Sequence, residues 1–217
     1  MNLVLLGVFA VLAARVSAEV TVYATNAGAG DTFEKSGQSA QLQAGSVHTA
    51  TAIKFRSDPA NEQATALAIP EYGVVLLLEP GTEVVFDDAA QLENQENAAT
   101  MKVLLAQLTL QKGSLQLVTS DQPNRSARFE ITTPQGLVDA SGSLNASITV
   151  KPATTTPTAT GTASAAAATT LAVLSGEAVL WQNVEKTVYI ATVAANQMAV
   201  LTDTIVQAVT ASKTAEF

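Results

Sequence analysis

The chain has 217 residues, of which 47% are hydrophobic and 14% are charged, and its formal net charge at pH 7 is -8. This length corresponds to one domain of ordinary size or two small ones. Nucleic-acid binding depends on Lys and Arg side chains that neutralise phosphates, so 11 basic residues against 19 acidic ones argue against it, and also against docking on an anionic membrane. The absence of cysteine excludes disulfides, thiolate catalysis and cysteine-based zinc sites.

The N-terminus carries an apolar run, LVLLGVFAVLAARV, from Leu3 to Val16. It ends in Val-Ser-Ala, and small residues at such a position are typical of the end of a secretory signal. We therefore expect a signal peptide over 1–18, a mature chain that begins near Glu19, and a periplasmic or extracellular location. A short membrane anchor and a buried first strand remain as alternatives, although the run is shorter than the ~20 residues that a membrane-spanning helix needs.

The rest of the chain alternates short runs of Val, Leu, Ile and Thr with Gly and Pro, which is typical of strands separated by turns. Two hairpins are predicted from this pattern. The first spans 73–86 around a Pro-Gly turn, and the second spans 103–119 around a Lys-Gly turn. Because Ala and Leu also favour helix, a helix remains the alternative for 98–111 and for 163–174.

Seven further strands are predicted, at 127–132, 136–140, 144–150, 171–174, 177–182, 187–193 and 197–202. Two segments between the strands are expected to be irregular. Residues 87–100, DDAAQLENQENAAT, are acidic and rich in amides, which indicates a surface loop. Residues 153–170, ATTTPTATGTASAAAATT, are of low complexity, which predicts a flexible insertion between two strands of one domain.

Several segments carry a recurrent pattern of Gly and apolar residues. They are LQAGSVHTATAIKF, YGVVLLLEPGTEVVF, LTLQKGSLQLVT, FEITTPQGLVDASGS and LAVLSGEAVLW. Together they resemble the FecR-like domain, an exported β-rich module best known from bacterial transmembrane signal relays. The matching positions are Gly113, Phe129, Ile131, Thr133, Pro134, Gly136, Val138, Gly142, Val173, Gly176 and Val179.

The resemblance implies an all-β domain over 41–202, with a sandwich or solenoid-like arrangement, an N-terminal extension over 19–40 and a tail over 203–217. It gives the matching positions structural roles, with glycines at turns and apolar residues in the core. Two positions depart from the family pattern. Leu144 stands where the family has an aromatic residue, and Asn196 stands where it has a turn glycine.

No arrangement of residues in the sequence points to catalysis. His48 is the only histidine, so a Ser-His-Asp arrangement would need it. Asp87 and Asp88, together with Glu93 and Glu96, offer oxygen ligands for calcium, but their spacing fits no EF-hand loop and a solvated acidic loop is the favoured interpretation. We therefore predict no catalytic residue, no metal site and no cofactor.

Two more groups of residues are interpreted as structural. Gly28 and Gly30 lie in NAGAGD, which lacks the Lys and the following helix of a phosphate-binding loop. Trp181 and Tyr189 are candidate binding aromatics, but Trp181 directly follows an apolar strand, so packing is the favoured role.

These observations predict a non-enzymatic, exported binding or scaffold module with protein partners or self-association, and without a membrane span after removal of the signal. The alternative is a structural subunit of a fibre, sheath or surface layer that assembles through strand edges. A secreted hydrolase is the least favoured hypothesis, because no catalytic groups converge in the sequence.

Overall fold

The computed structural model describes residues 15–16, 20–96, 99–158, 161–202 and 206–211, and within them the side chains of 20–92, 101–154 and 166–202. In this part of the chain the regular structure consists of strands and one 3-10 turn at Pro70–Tyr72. The predicted all-β fold class is confirmed. No helix among the described residues is long enough and apolar enough to cross a bilayer.

Nine strands form one layer, called layer 1. In order of hydrogen-bonded neighbours they are β4 (Gln38–Gln41), β3 (Thr32–Lys35), β6 (Ile53–Arg56), β9 (Glu83–Glu96), β10 (Ala99–Thr119), β11 (Arg125–Thr133), β12 (Gly136–Ser141), β17 (Glu177–Trp181) and β18 (Tyr189–Ala194). The β10–β11 pair is parallel and the others are antiparallel. A two-residue strand, β1 (Arg15–Val16), pairs with β9 at Gln91 and Leu92.

The second layer, called layer 2, also contains nine strands. In order they are β5 (Val47–Thr49), β2 (Thr21–Asn26), β7 (Thr65–Ile69), β8 (Val74–Leu78), the C-terminal part of β10, β13 (Leu144–Lys151), β16 (Ala168–Ser175), β19 (Gln197–Thr202) and β20 (Val206–Ala211). All of these pairs are antiparallel.

Strand β10 belongs to both layers. Its register with β9 runs from Ala99 to Lys112, and its register with β13 begins at Gly113. The fully buried leucines of β10 occupy even-numbered positions up to Leu110 and odd-numbered positions from Leu115 onward. The side of the strand that faces the core therefore switches where the strand changes layer. Gly113 has a φ of 89°, and a Cβ there would lie 2.5 Å from the Cα of Thr82. Glycine is therefore needed at the crossing.

One core lies between the layers. Phe55 and Phe86 from layer 1 are fully buried with ring centroids 5.8 Å apart, and Leu76 from layer 2 belongs to the same cluster. Burial stabilises each such side chain by roughly 1.5–3 kcal/mol. A polar contact also joins the layers: the Thr169 hydroxyl of β16 donates to the Thr133 hydroxyl of β11 at 3.0 Å.

The structure corrects both predicted hairpins. Strands β8 and β9 leave the Pro-Gly turn into different layers, β8 beside β7 and β9 beside β6. The turn exists, since the Thr82 amide donates to the Glu79 carbonyl at 3.1 Å, but it connects layers and not paired strands. The second predicted hairpin is the single strand β10, because Lys112-Gly113 marks its crossing between layers and not a reversal.

The two segments predicted to be irregular are strands. Residues 87–100 continue β9 to Glu96 and begin β10 at Ala99, and the helix alternative for 98–111 is wrong as well. The 153–170 insertion contains a two-stranded sheet of its own, β14 (Thr154–Thr158) with β15 (Gly161–Ala165), and the start of β16. Hydrogen bonding to neighbouring strands thus makes strands of segments whose composition shows no strand pattern. The seven other predicted strands correspond to β11, β12, β13, β16, β17, β18 and β19.

The β core begins before residue 41. The predicted extension 19–40 contributes β2 to layer 2 and β3 to layer 1, and Val22 is fully buried. Of the predicted signal over 1–18, all but Arg15–Val16 lies outside the described residues. Of the predicted tail over 203–217, only β20 is described, and it pairs with β19.

Several positions that the sequence analysis interpreted as core or turn residues have those roles in the structure. Phe129, Ile131 and Val138 are buried, and Asn196 holds the turn with a φ of 62°. Val179 is an exception, because the alternation along β17 turns its neighbours Ala178 and Leu180 into the core instead.

Candidate interaction surface

His48 is a packing residue. Its Nε2 lies 2.8 Å from the Ser46 hydroxyl, and its ring lies 4.3 Å from that of Phe33 and 5.6 Å from that of Phe55. A catalytic Ser-His pair needs a carboxylate that stabilises the imidazolium. Here burial and then the positive charge of Lys35 lower the pKa of His48. The surroundings therefore favour neutral imidazole within an aromatic cluster that spans both layers.

Two of the four candidate calcium ligands lie at the surface of β9. Asp87 and Asp88 are exposed, and Asp87 accepts a hydrogen bond from the Thr109 hydroxyl at 2.6 Å. The side chains of Glu93 and Glu96 lie outside the described set. In the part of the chain that the structure describes, no group of three or more His, Cys, Asp or Glu residues is placed to hold a metal ion.

Asp31 is a buried residue that the sequence analysis missed. Its carboxylate accepts four hydrogen bonds, from the Gly28 amide at 2.7 Å, the Asp58 amide at 2.8 Å, the Asn61 side chain at 2.5 Å and the Thr65 hydroxyl at 2.6 Å. Four donors satisfy the hydrogen-bonding capacity of this buried carboxylate. Because the donors lie in the loops after β2 and β6 and at the start of β7, Asp31 links these segments. A Cβ at Gly28 or Gly30 would collide with Asn61 or Asp58, so these glycines serve close packing.

The outer face of layer 1 carries charged side chains, and many of them form ion pairs with one another. One cluster surrounds Glu83, which lies 3.0 Å from Lys54, 3.1 Å from Arg56 and 3.9 Å from Lys112. Burial, the largest single influence, raises the pKa of Glu83, but the hydrogen bond from Lys54 and the three positive charges together bring it below its usual value. These charges are thus engaged with one another within the molecule.

A second cluster on the same face fixes the β17–β18 loop. Lys186 of this loop lies 2.6 Å from Glu130 and 2.7 Å from Asp139. Arg128 donates two hydrogen bonds to Asp139, at 3.0 and 2.7 Å. Burial raises the pKa of both carboxyls, but hydrogen bonds and positive charges outweigh it and lower both pKa values overall. The loop is therefore held against layer 1 by its single lysine.

The outer face of layer 2 is nearly uncharged, and we call it the neutral face. Among the described side chains that its strands turn outward, Lys151 is the only charged one. One cross-strand row is apolar over five strands and contains Val47, Tyr23, Ala68, Val75 and Val118. A second row contains Ala66, Leu77, Gln116, Ser147, Ala172 and Met198.

The exposed large hydrophobic side chains of the described part fall into two groups. Four lie on the neutral face, namely Tyr23, Val47, Val75 and Met198, with exposed fractions from 36% to 54%. The other three lie on or beside the β17–β18 loop, namely Val184, Val188 and Tyr189. Tyr189 packs edge-on against Trp181 at 5.7 Å, in keeping with the predicted packing role of Trp181. Apolar rows on one sheet face are typical of contact surfaces.

The edges of layer 1 form a second surface of interest. Strand β4 (QSAQ) lies at one edge and β18 (YIATVA) at the other, and neither contains a charged residue or a proline. Charge and proline are the usual protection of an edge strand against pairing with another chain. Both edges therefore lack that protection.

Comparison with known proteins gives distant similarity. No family model matches the sequence, and no curated protein matches it. Two crystal structures of a candidate anti-sigma factor from Parabacteroides distasonis, at 1.65 and 2.50 Å resolution, do match. The first has 14% identity and a TM-score of 0.42, the second 13% and 0.41, and each match covers 72% of this chain and 57% of the other. The match thus spans little more than half of the solved protein, and a likeness this distant identifies no function.

Proposed function

We propose that the protein is an exported, non-catalytic scaffold module that works by protein-protein contact through the neutral face of layer 2. The observation that carries the proposal is the separation of surface chemistry between the two layers. The outer face of layer 1 carries many charged side chains, including the ion-pair clusters around Glu83 and Lys186, whereas the neutral face combines apolar rows with hydroxyl and amide groups. The core of a protein interface is depleted in charge in the same way.

Photocross-linking in the cells of origin tests this function. A photoreactive phenylalanine derivative replaces Tyr23 on the neutral face in one variant and Tyr189 on the β18 edge in the matched control. Both side chains are about equally accessible, at 41% and 56%. We expect cross-linked protein from position 23 and not from position 189. Absence of any product from position 23 would overturn the proposal.

A structural subunit that assembles through strand edges is the second candidate. The unprotected edges β4 and β18 favour it, because a strand of one copy can pair with the free edge of another. Lysines introduced at Ala40 and Thr192, which are both exposed, would then abolish fibres seen by electron microscopy. Cross-linking from position 189 alone would also support this candidate over the first.

Export is part of the proposal and has its own test. The apolar run that ends in Val-Ser-Ala motivates cleavage after Ala18. N-terminal sequencing of exported material is expected to begin at Glu19. A chain that retains Met1 in the cell envelope would instead indicate an anchor.

A further inference from the structure

We propose that the neutral face binds a second copy of this chain, so that two molecules stack layer 2 against layer 2. This inference rests on the proposed function and names the partner of the same surface. It depends on three properties of the neutral face: its charge, its pattern and its size.

Charge permits a second copy at this face and disfavours strongly charged partners. The chain carries a net charge of -8, so most self-contacts would bring like charges together. Contact through the neutral face avoids this repulsion, because Lys151 is the only charged residue among the described outward side chains of its strands. A strongly acidic or basic partner, in contrast, would find no opposite charge to pair with and would lose hydration.

The arrangement of side chains on the neutral face is compatible with a two-fold contact between two copies. In a two-fold contact the same patch lies on both sides. The apolar row that contains Tyr23 and Val75 would then pack on apolar groups of the other copy. The row that contains Gln116 and Ser147 carries groups that both donate and accept hydrogen bonds, so it too is compatible with its own copy.

The face is also large enough. Nine strands about 4.8 Å apart, each about six residues long with a rise of about 3.3 Å per residue, cover roughly 750 Å². A standard stable interface buries about 800 Å² on each partner. Sheets commonly stack face to face at a separation of about 10 Å, with side chains interdigitated. The neutral face thus provides the area that a dimer requires.

Analytical ultracentrifugation of the exported protein over a wide concentration range tests the inference. The test variant is Ala172→Glu, which places a carboxylate on β16, between β13 and β19 of the neutral face. The matched controls are Ala172→Gln, with similar size but no charge, and Thr132→Glu, which adds the same charge to the outer face of layer 1. Thermal unfolding of each variant reports whether it folds.

We expect a dimer for the wild-type protein, for Ala172→Gln and for Thr132→Glu. Ala172→Glu should raise the dimer dissociation constant by about 100-fold or more, because two unpaired carboxylates would be buried at the interface. A wild-type protein that stays monomeric at every concentration, or a dimer that survives Ala172→Glu unchanged, would overturn the inference. A monomer in solution that still cross-links from position 23 to a different protein in cells would overturn the self-association and leave the proposed function standing.

Discussion

At the scale of single residues, substitutions at Gly142 measure the effect of backbone strain without a contribution from steric collision. Its φ is 73°, and a Cβ there would meet nothing within 4 Å. Gly142→Val should therefore lower the free energy of unfolding by more than about 1 kcal/mol through strain alone. Gly142→Asn should cost less, since Asn adopts this conformation more readily. Thermal unfolding of the two variants checks this, and equal melting temperatures would show that φ is not limiting there.

Gly136 is sensitive for a different reason. A Cβ at this position would lie 2.5 Å from the Trp181 carbonyl oxygen on the neighbouring strand. The substitution Gly136→Val would push β12 away from β17, whatever its backbone angles. Substitution of either glycine should therefore destabilise layer 1, through backbone strain at Gly142 and through steric collision at Gly136.

Substitutions at His48 and Asp87 test the prediction that the protein is not an enzyme. His48→Ala should reduce the free energy of unfolding by about 1–2 kcal/mol, because the ring fills space between Phe33 and Phe55. Asp87→Asn should change it by less than about 0.5 kcal/mol, since the side chain is exposed. Neither change should affect cross-linking from position 23. Loss of the cellular function in a double variant that still folds and still cross-links from position 23 would revive the enzyme hypothesis.

At the scale of elements, the ion pairs that hold the β17–β18 loop should make stability depend on pH. The pKa values of Glu130 and Asp139 are lowered in the folded protein. Their stabilising effect is complete above the ordinary values of 4.5 and 3.8 and is lost as pH falls below them toward the folded-state values. The partly exposed cluster should contribute about 1 kcal/mol, or about 2–4 °C in melting temperature.

The Lys186→Met variant is the control for this pH effect. It removes the cation that contacts both carboxyls, so its melting temperature should fall less than that of the wild type between pH 7 and pH values below about 4. Equal losses in the two proteins would show that other carboxyls dominate the acid response.

Within the insertion, the β14–β15 hairpin is expected to be dispensable for folding. Strands β14 and β15 pair with each other, and β13 pairs directly with β16 from Lys151 opposite Ala168. Replacement of 154–165 by a short Gly-Ser linker should change the free energy of unfolding by about 1 kcal/mol, because loop-closure entropy varies slowly with length. Circular dichroism with thermal unfolding checks this, and a variant that fails to fold would show that the hairpin stabilises the core.

Many strand positions were predictable from the sequence, but the strands within 19–40, 87–100 and 153–170 were not, and neither were the strand partners. Alternation along β11 and β13 identifies both strands and their buried faces. The same local signals cannot tell a turn between paired strands from a connection between layers, which is why Pro80-Gly81 and Lys112-Gly113 were misinterpreted as hairpins. Asp31 was missed because its four donors come from distant parts of the chain, and the neutral face emerges only when the strand order is known.

At the scale of the whole molecule, the two faces divide the surface by chemistry. The outer face of layer 1 carries charged side chains, and ion pairs across its strands join many of them. Layer 2 exposes apolar, hydroxyl and amide groups in register across its strands. We therefore expect one face of the sandwich to contact protein and the other to face solvent.

Oxidative footprinting of the exported protein in its native state is the most direct test of this division. Tyr23 and Met198 report on the neutral face, and Tyr189, which is 56% exposed on the β18 edge, is the internal control. We expect Tyr23 and Met198 to be protected from oxidation while Tyr189 reacts. Oxidation of Tyr23 and Met198 to the extent that their exposed fractions of 41% and 36% allow in the isolated chain would contradict this expectation.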